Sequence, residues 1–286
     1  MLIRSLRVPP SLFLLLVFLA FFGWQLSQGP SHEAMPLNFA GMGNAVQGSS
    51  GDKNTPRVAL MTFVTDQRSY LHLSLRNHDH YARRHGYDFI VDYEAHTDLS
   101  VVYYKFNMAE RLVASKKYDW IWWMDFDTLV TNTDIKLTDI IADALSNTTA
   151  PHEIDYLLTH DCNGLNAGSY VFRAHDRSLA FIRDAIAVQA KAQEEGQGIS
   201  EQEAMVRLME LDQASRARTL VVQQQKLNAF PQEIACYDPD SKAWERGDFV
   251  IHFAGAWAHV KGDDPTGWLM KKYEGDIIWG DWKEIY

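Results

Sequence analysis

The sequence predicts an α/β fold with a mostly parallel central sheet, carried behind an N-terminal membrane-spanning segment. Three observations predict it. Apolar runs alternate with helical stretches from Pro56 onward. Those runs are continuous in hydrophobicity, as strands covered on both faces require. One uncharged stretch near the start is long enough to cross most of a lipid bilayer. The 286 residues are 47% hydrophobic and 12% aromatic, ample for one large core.

Taken in order, residues 1–7 read as a cytosolic tail containing Arg4 and Arg7. Residues 8–24, centred on "LFLLLVFLAFF", form the membrane-spanning signal anchor. No Lys or Arg follows until Lys53, so the positive-inside rule sends everything downstream into the lumen. A cleaved signal peptide is the alternative, with the small residues Ser27 and Gly29 placed for cleavage. Residues 25–56 are rich in Gly, Ser, Pro, Asn and Gln and read as a stem, leaving 57–286 as the lumenal domain. An Asn-x-Thr sequon at Asn147 suits that compartment, although such triplets also arise by chance.

Within the domain, "RVALMTFVT" (57–65) reads as a buried strand ending at Thr65 and Asp66. Residues 69–85 read as an amphipathic helix closed by Gly86, with the histidines of "HDHYARRH" on its solvated face. A second strand at 87–93, a helix at 103–117 and a third strand, "YDWIWWMD", complete two βαβ units. In such sheets ligands bind beyond the carboxyl ends of the strands. The C-terminal run 263–286 places Trp268, Leu269, Tyr273, Ile277, Ile278 and Trp282 at near-helical spacing, as a covering helix would. A membrane-surface or partner-binding role is the alternative. The net charge of −10 excludes nucleic acid as a partner, because phosphate binding needs a basic face. No GxGxxG or GxxxxGK[ST] occurs, so a dinucleotide fingerprint and a P-loop are both missing. Cys162 and Cys236 cannot form a disulfide framework; whether they pair or remain thiols stays open.

The third strand runs directly into Asp125-Phe126-Asp127. Two carboxylates at a buried strand end, with no basic residue nearby in sequence, repel each other unless a cation neutralises them. Hard oxygen ligands suit Mg²⁺, Mn²⁺ or Ca²⁺ shared with substrate phosphates; a solvated turn is the plain alternative. Three segments, "WIWWMDFDTLVTN", "HDCNGLNAGSYVFR" and "VIHFAGAW", together resemble glycosyltransferase family 34. This family contains fungal Golgi α-mannosyl- and α-galactosyltransferases and plant xyloglucan xylosyltransferases. The resemblance covers about residues 57–260 and implies a GT-A type, single Rossmann-like nucleotide-sugar domain with metal-dependent, retaining chemistry.

Position by position, the resemblance makes Asp125, Asp127 and His252 the ligands of Mn²⁺ or Mg²⁺. Otherwise His252 would read as a core imidazole. It places Asn166 and Gly168, in "GLNAGS", along the sugar pocket, where an amide can meet sugar hydroxyls and small residues allow close backbone approach. Glu201 and Gln202 match an acidic-Gln pair beside the reaction centre, at the start of a helix that Ser200 and Glu203 cap as a box. Thr65, Asp66 and Lys105 fall near the nucleotide, with an exposed helix-face position the alternative for Lys105. Lys261 stands near the leaving diphosphate. Many family members have a cysteine between this histidine and a following lysine; here Ala256 and Trp257 occupy that stretch, which loosens the match.

The implied reaction moves a hexose from GDP-mannose, or next from UDP-galactose, to a mannose-bearing glycan on a glycoprotein. Its setting is the Golgi membrane, with the N-terminal segment as anchor and other Golgi glycosyltransferases as companions in a complex. Two rival readings are a non-catalytic sugar-binding homologue and a secreted metal-dependent phosphodiesterase. The second would want more metal ligands and a second ion about 4 Å from the first.

Overall fold

The computed structural model describes residues 55–285, so the membrane-spanning segment and almost all of the stem lie outside the described residues. Among the described residues no helix is long and apolar enough to cross a membrane.

The apolar run of 58–63 and the tryptophan run of 120–124 become neighbouring strands in the middle of a six-stranded sheet. Its strands are β1 (Val58–Phe63), β2 (Asp88–Asp92), β3 (Trp120–Met124), β5 (Tyr156–Asp161), β6 (Gly164–Arg173) and β7 (Thr219–Val221), in the order β2-β1-β3-β6-β5-β7. β6 alone runs against the others, pairing antiparallel with β3 and β5. The expected mostly parallel sheet is what forms. Side chains alternate across a strand, so β3 feeds two separate cores. Ile121 and Trp123 pack on one face with Ala59, Met61 and Phe106. Trp120, Trp122 and Met124 pack on the other with Val58, Leu60 and Tyr81. A strand buried on both faces has no use for polar alternation, which explains the unbroken apolar stretch.

A smaller ribbon pairs β4 (Thr128–Val130) with β8 (Val250–His252), antiparallel, with Thr128 opposite His252. Helices α1 (Leu71–His85), α2 (Tyr104–Ala114), α3 (Leu137–Ser146), α4 (Asp176–Glu194) and α5 (Glu201–Leu211) supply most of the cover. The shorter α6 (Gln213–Ala217), α7 (Gln224–Leu227), α8 (Ala256–His259) and α9 (Pro265–Tyr273) follow. Gly86 ends α1 with φ of 67°, the left-handed geometry glycine tolerates best.

Two expectations need correction, and one open question is answered. The α1 histidines are not on a solvated face: His78 and His80 are buried and His85 is half-buried. Their rings bond the carbonyls of Thr128 (2.8 Å), Trp279 (2.7 Å) and Thr133 (2.8 Å). They thereby satisfy the backbone of β4 and the C-terminal segment. Residues 263–286 are not one helix. α9 ends at Tyr273, and Ile278 then bridges to Asn132 in extended geometry. Lastly, Cys162 and Cys236 form a disulfide, closing a span of 74 residues.

Candidate active site

The site assembles where β1 and β3 end. Beyond Met124 the chain turns, with Thr128 N–H donating to the Asp125 carbonyl (3.1 Å). Because β6 runs antiparallel to β3, its first residues lie beside that turn. Met124 faces Ser169, and Asp125 N–H donates to the Gly168 carbonyl (2.6 Å). β8 delivers His252 from the other side, and Phe253 N–H donates to the Asp127 carbonyl (3.1 Å). His252 Nε2 ends 3.4 Å from Asp127 Oδ1 and 4.0 Å from Asp125 Oδ2. The ligand atoms of Asp125, Asp127 and His252 all lie within 4.8 Å of one another, close enough to share one ion.

The orientation of the imidazole follows from a chain of hydrogen bonds. Gly168 N–H donates to Asn166 Oδ1 (3.0 Å), which fixes that oxygen as the acceptor for Asn228 Nδ2 (2.9 Å). Asn228 Nδ2 also reaches Thr159 Oγ1 (2.9 Å), so Asn228 Oδ1 faces His252 Nδ1 at 2.7 Å. Nδ1 must therefore carry the proton and donate, and Nε2 is directed at the carboxylates. A histidine whose Nδ1–H is held by an amide oxygen in this way presents Nε2 ready for a metal. The donor set, two carboxylates and an imidazole with its outer nitrogen tied down, fits Mn²⁺ or Mg²⁺.

A cation also stands where sequence proximity gave no hint of one. Lys105, on α2, is almost wholly buried rather than exposed on a helix face. Its ammonium bonds Glu201 Oε1 (2.8 Å) and the Ala167 carbonyl (3.2 Å), and lies 3.4 Å from Asp125 Oδ1. Burial works against its charge, but Asp125 and Glu201 outweigh this and hold the ammonium above the usual lysine range. Burial dominates at Asp125 and raises its carboxyl, with Lys105 and His252 opposing. Burial also pushes at Asp127, yet the His252 charge and hydrogen bond bring its carboxyl below the ordinary value. His252 is raised: the carboxylates overcome its burial.

Glu201 occupies its place because Ser200 starts α5 there. Ser200 N–H donates to Glu203 Oε2 (2.7 Å) and Ser200 Oγ accepts from Glu203 N–H (3.3 Å), the full capping box. Glu201, at the first helical position, then points inward. A pocket of about 290 Å³ opens over this cluster, walled by Thr65, Asp66, Lys105, Asp125, Asp127 and Glu201. The structure thus brings together eight of the expected residues: these six, His252 behind them, and Gln202, whose Oε1 accepts from Ala167 N–H (3.3 Å).

Asn166 and Gly168 sit behind the pocket rather than on its wall. The Asn166 amide is already engaged, donating to Asp161 Oδ2 (2.8 Å) and accepting from Gly168 and Asn228. Gly168 is bare for a different reason from sugar approach. A Cβ there would lie 2.1 Å from His252 Cε1. Lys261 is exposed beyond α8 and does not line the pocket.

Sequence reasoning missed Asn228, Trp123 and Tyr70. Trp123 had a signal: it lies two residues before Asp125 and so on the same side, and its indole N–H donates to Asp125 Oδ1 (2.8 Å). The Lys105 ammonium also lies 4.7 Å from the centre of that ring. Tyr70 packs on Phe126 with ring centres 5.9 Å apart. Burial, aided by Asp127, pushes its phenol up to about 12, so it stays protonated. Asn228 had no signal, since its role depends on partners far away in sequence.

A single α/β nucleotide-type fold with an Asp-x-Asp and histidine cluster at its strand ends defines a glycosyltransferase-like architecture. Residues 54–262 match the galactosyl transferase GMA12/MNN10 family, and the chain belongs to it. A probable alpha-1,2-galactosyltransferase, gmh2, of Schizosaccharomyces pombe is 27% identical over 227 residues, 67% of this chain and 62% of its own length. An alpha-1,2-galactosyltransferase of the same organism is 29% identical over 243 residues, 71% of this chain and 62% of its own. A probable alpha-1,6-mannosyltransferase, MNN10, of Saccharomyces cerevisiae is 25% identical over 217 residues, 64% of this chain and 54% of its own. The chain spans between about half and three fifths of the length of the curated relatives it matches. In fold, the crystal structure of a glycosyltransferase involved in glycosylating the major capsid of PBCV-1 superposes with a TM-score of 0.56 at 14% identity. The match covers 76% of this chain and all of that one.

Proposed function

We propose that this chain is a metal-dependent, retaining hexosyltransferase that moves a hexose from a nucleotide diphosphate sugar to a hydroxyl of a mannose-bearing glycan on a glycoprotein. One observation carries the reading: Asp125, Asp127 and a tautomer-fixed His252 converge on one point of a strand-end pocket, in a chain of this family. Bound by these three residues, Mn²⁺ or Mg²⁺ would offset charge on the donor diphosphate and stabilise its departure.

The chain's own groups divide the remaining work. Thr65 and Asp66, at the end of β1, suit the nucleoside; Tyr70, protonated, offers a hydroxyl beside Asp127. Lys105 keeps Asp125 and Glu201 from repelling each other. Glu201 supplies negative charge at the pocket wall, suited to an anomeric carbon that becomes positive as the leaving bond stretches. In same-face attack the acceptor oxygen bonds to that carbon as the bond to phosphate breaks. The acceptor's proton then passes to the departing oxygen. The two galactosyltransferase relatives described above match somewhat more of the chain, 67% and 71%, than the mannosyltransferase at 64%, which moves UDP-galactose ahead of GDP-mannose, the donor favoured by the sequence alone.

The setting proposed is the Golgi membrane, as a single-pass type II protein working beside other glycosyltransferases. The apolar segment 8–24 supports the anchor. The Cys162–Cys236 disulfide supports an oxidising lumen. The phosphodiesterase reading loses ground. Among the described residues the second possible ligand cluster, Asp161 with Cys162 and Cys236, has its sulfurs tied in that disulfide, and the α1 histidines serve backbone carbonyls. The test uses the full chain in detergent, stripped of metal, with GDP-mannose, UDP-galactose, UDP-glucose and UDP-xylose. Mn²⁺-dependent release of nucleoside diphosphate from one donor, lost in Asp127→Asn, is expected. Release that ignores both the metal and the substitution would sink the reading.

A further inference from the structure

A second cavity, of about 520 Å³, lies between the start of α1 and α9, and Tyr70 is part of its wall as well as of the donor pocket. Both spaces therefore meet at one side chain, next to Phe126 and Asp127. The cavity is built rather than incidental. Asp264 caps α9 by accepting from Gly267 N–H (3.0 Å), and the Ser69 hydroxyl donates to the same carboxylate. A Cβ at Gly267 would lie 2.1 Å from Asp264 Oδ2 and 2.2 Å from Ser69 Oγ, so glycine is what lets the two segments meet.

Its lining joins one large exposed aromatic to polar groups. Trp268 is 54% exposed, while the next two residues of α9, Leu269 and Met270, are fully buried and do the packing. Lys272 Nζ lies 5.8 Å from the centre of the Trp268 ring, a distant cation contact that still leaves the indole half in water. Around it stand Ser69, His72, Asp264, Lys271 and Glu274. The lining's charges already have partners: Glu274 takes Arg76 (2.9 Å) and Lys271 (2.6 Å), while Asp264 accepts from the Ser69 hydroxyl and Gly267 N–H. An ammonium already matched by a carboxylate is poor for a phosphate. A half-exposed indole ringed by hydroxyl, carboxylate and imidazole suits a neutral polyol, whose C–H face lies on the ring while its hydroxyls bond the rim.

We propose that this cavity is the acceptor site: Trp268 is the platform for a pyranose of the incoming mannose-bearing glycan, whose reacting hydroxyl passes Tyr70 to reach the donor. This rests on the hexosyltransferase reading and adds where the second substrate binds and through which residue. Trp268 is a binding residue and touches no reacting atom.

The test uses the full chain in detergent and an α-linked mannotriose as probe. Trp268→Ala is expected to raise the acceptor KM about tenfold, the scale of one lost aromatic contact, while the donor KM keeps its wild-type value. Trp268→Tyr should recover most of the loss, which separates stacking from a fold defect. In parallel, mannotriose should quench tryptophan fluorescence in wild type and not in Trp268→Ala, and inorganic phosphate should not compete. If transfer proceeds but acceptor KM and quenching ignore Trp268, or phosphate competes, the cleft assignment is overturned and the transferase reading survives. If no donor turns over yet mannotriose binds through Trp268, the cleft stands and the transferase reading falls. If neither occurs, both fall.

Discussion

Gly168→Ala is the smallest change that should disable the site. The added Cβ would sit 2.1 Å from His252 Cε1 and 2.9 Å from its Nδ1. Carbon atoms pack at about 3.5 Å or more, so the imidazole or β6 must retreat by about 1.4 Å. The ring has little room to go. It is buried, set edge-on to Phe230 with ring centres 5.6 Å apart, bonded through Nδ1 to Asn228, and fixed through its backbone N–H to Ala229 (2.8 Å). Metal–ligand distances tolerate about 0.2 Å, so a displacement of this size removes one ligand. Overpacking of this kind costs about 1–3 kcal/mol, which a domain of this size survives. The expected result is a folded protein with Mn²⁺ affinity reduced roughly 10–100-fold or more. Calorimetric titration of the metal-stripped full chain reads the affinity, and near-ultraviolet circular dichroism checks the packing. A folded Gly168→Ala protein that binds Mn²⁺ and turns over like wild type would refute the claim that this glycine exists to seat His252.

Lys105→Met should leave Glu201 buried without its partner and lower stability by about 3–5 kcal/mol, read from urea midpoints; Lys105→Met with Glu201→Gln should regain most of that without restoring transfer. A single variant as stable as wild type would show that the pair is not holding the site. Burial lowers His78 to about 4 in the folded chain, so the unfolded chain takes up its proton first as pH falls. Stability should be unaffected by this group above about pH 6.5 and fall by about 3 kcal/mol on acidification towards pH 4. His78→Gln, which can donate to the same Thr128 carbonyl, should flatten that acid limb; an unchanged limb would assign it elsewhere. Asn147 is exposed at the end of α3, so a lumenal chain should carry a glycan there. An endoglycosidase shift absent from Asn147→Gln would confirm it, and an unshifted chain from secretory membranes would count against that topology.

Local pattern carried much of this architecture. Continuous apolar runs identified β1 and β3, Gly86 closed α1, and Ser200 with Glu203 set the start of α5, because each depends on neighbours within a turn or two. The α1 histidines misled for the opposite reason. On a polar helix nothing local distinguishes a solvated imidazole from one that reaches a carbonyl 48 to 50 residues away, as His85 and His78 do. The same limit hid Asn228, which acts on His252 only because the next residue, Ala229, pairs with Ile251 and His252 on β8.

Lys105 changes the metal argument itself. From sequence, the case for a cation rested on two carboxylates with no positive neighbour, and the structure supplies one at 3.4 Å from Asp125. That could have closed the balance. It does not, because Lys105 arrives with Glu201, its nearer partner at 2.8 Å. Three carboxylates against one ammonium still leave two negative charges when His252 is neutral. A divalent ion is the size of that deficit. The buried pair leaves that net charge where it was and gives the site rigidity, since Lys105 also bonds the Ala167 carbonyl on β6. Asp125 is then held by α2 and β6, Lys105 in turn by Glu201 of α5, and Asp127 by the end of β8, before any donor arrives.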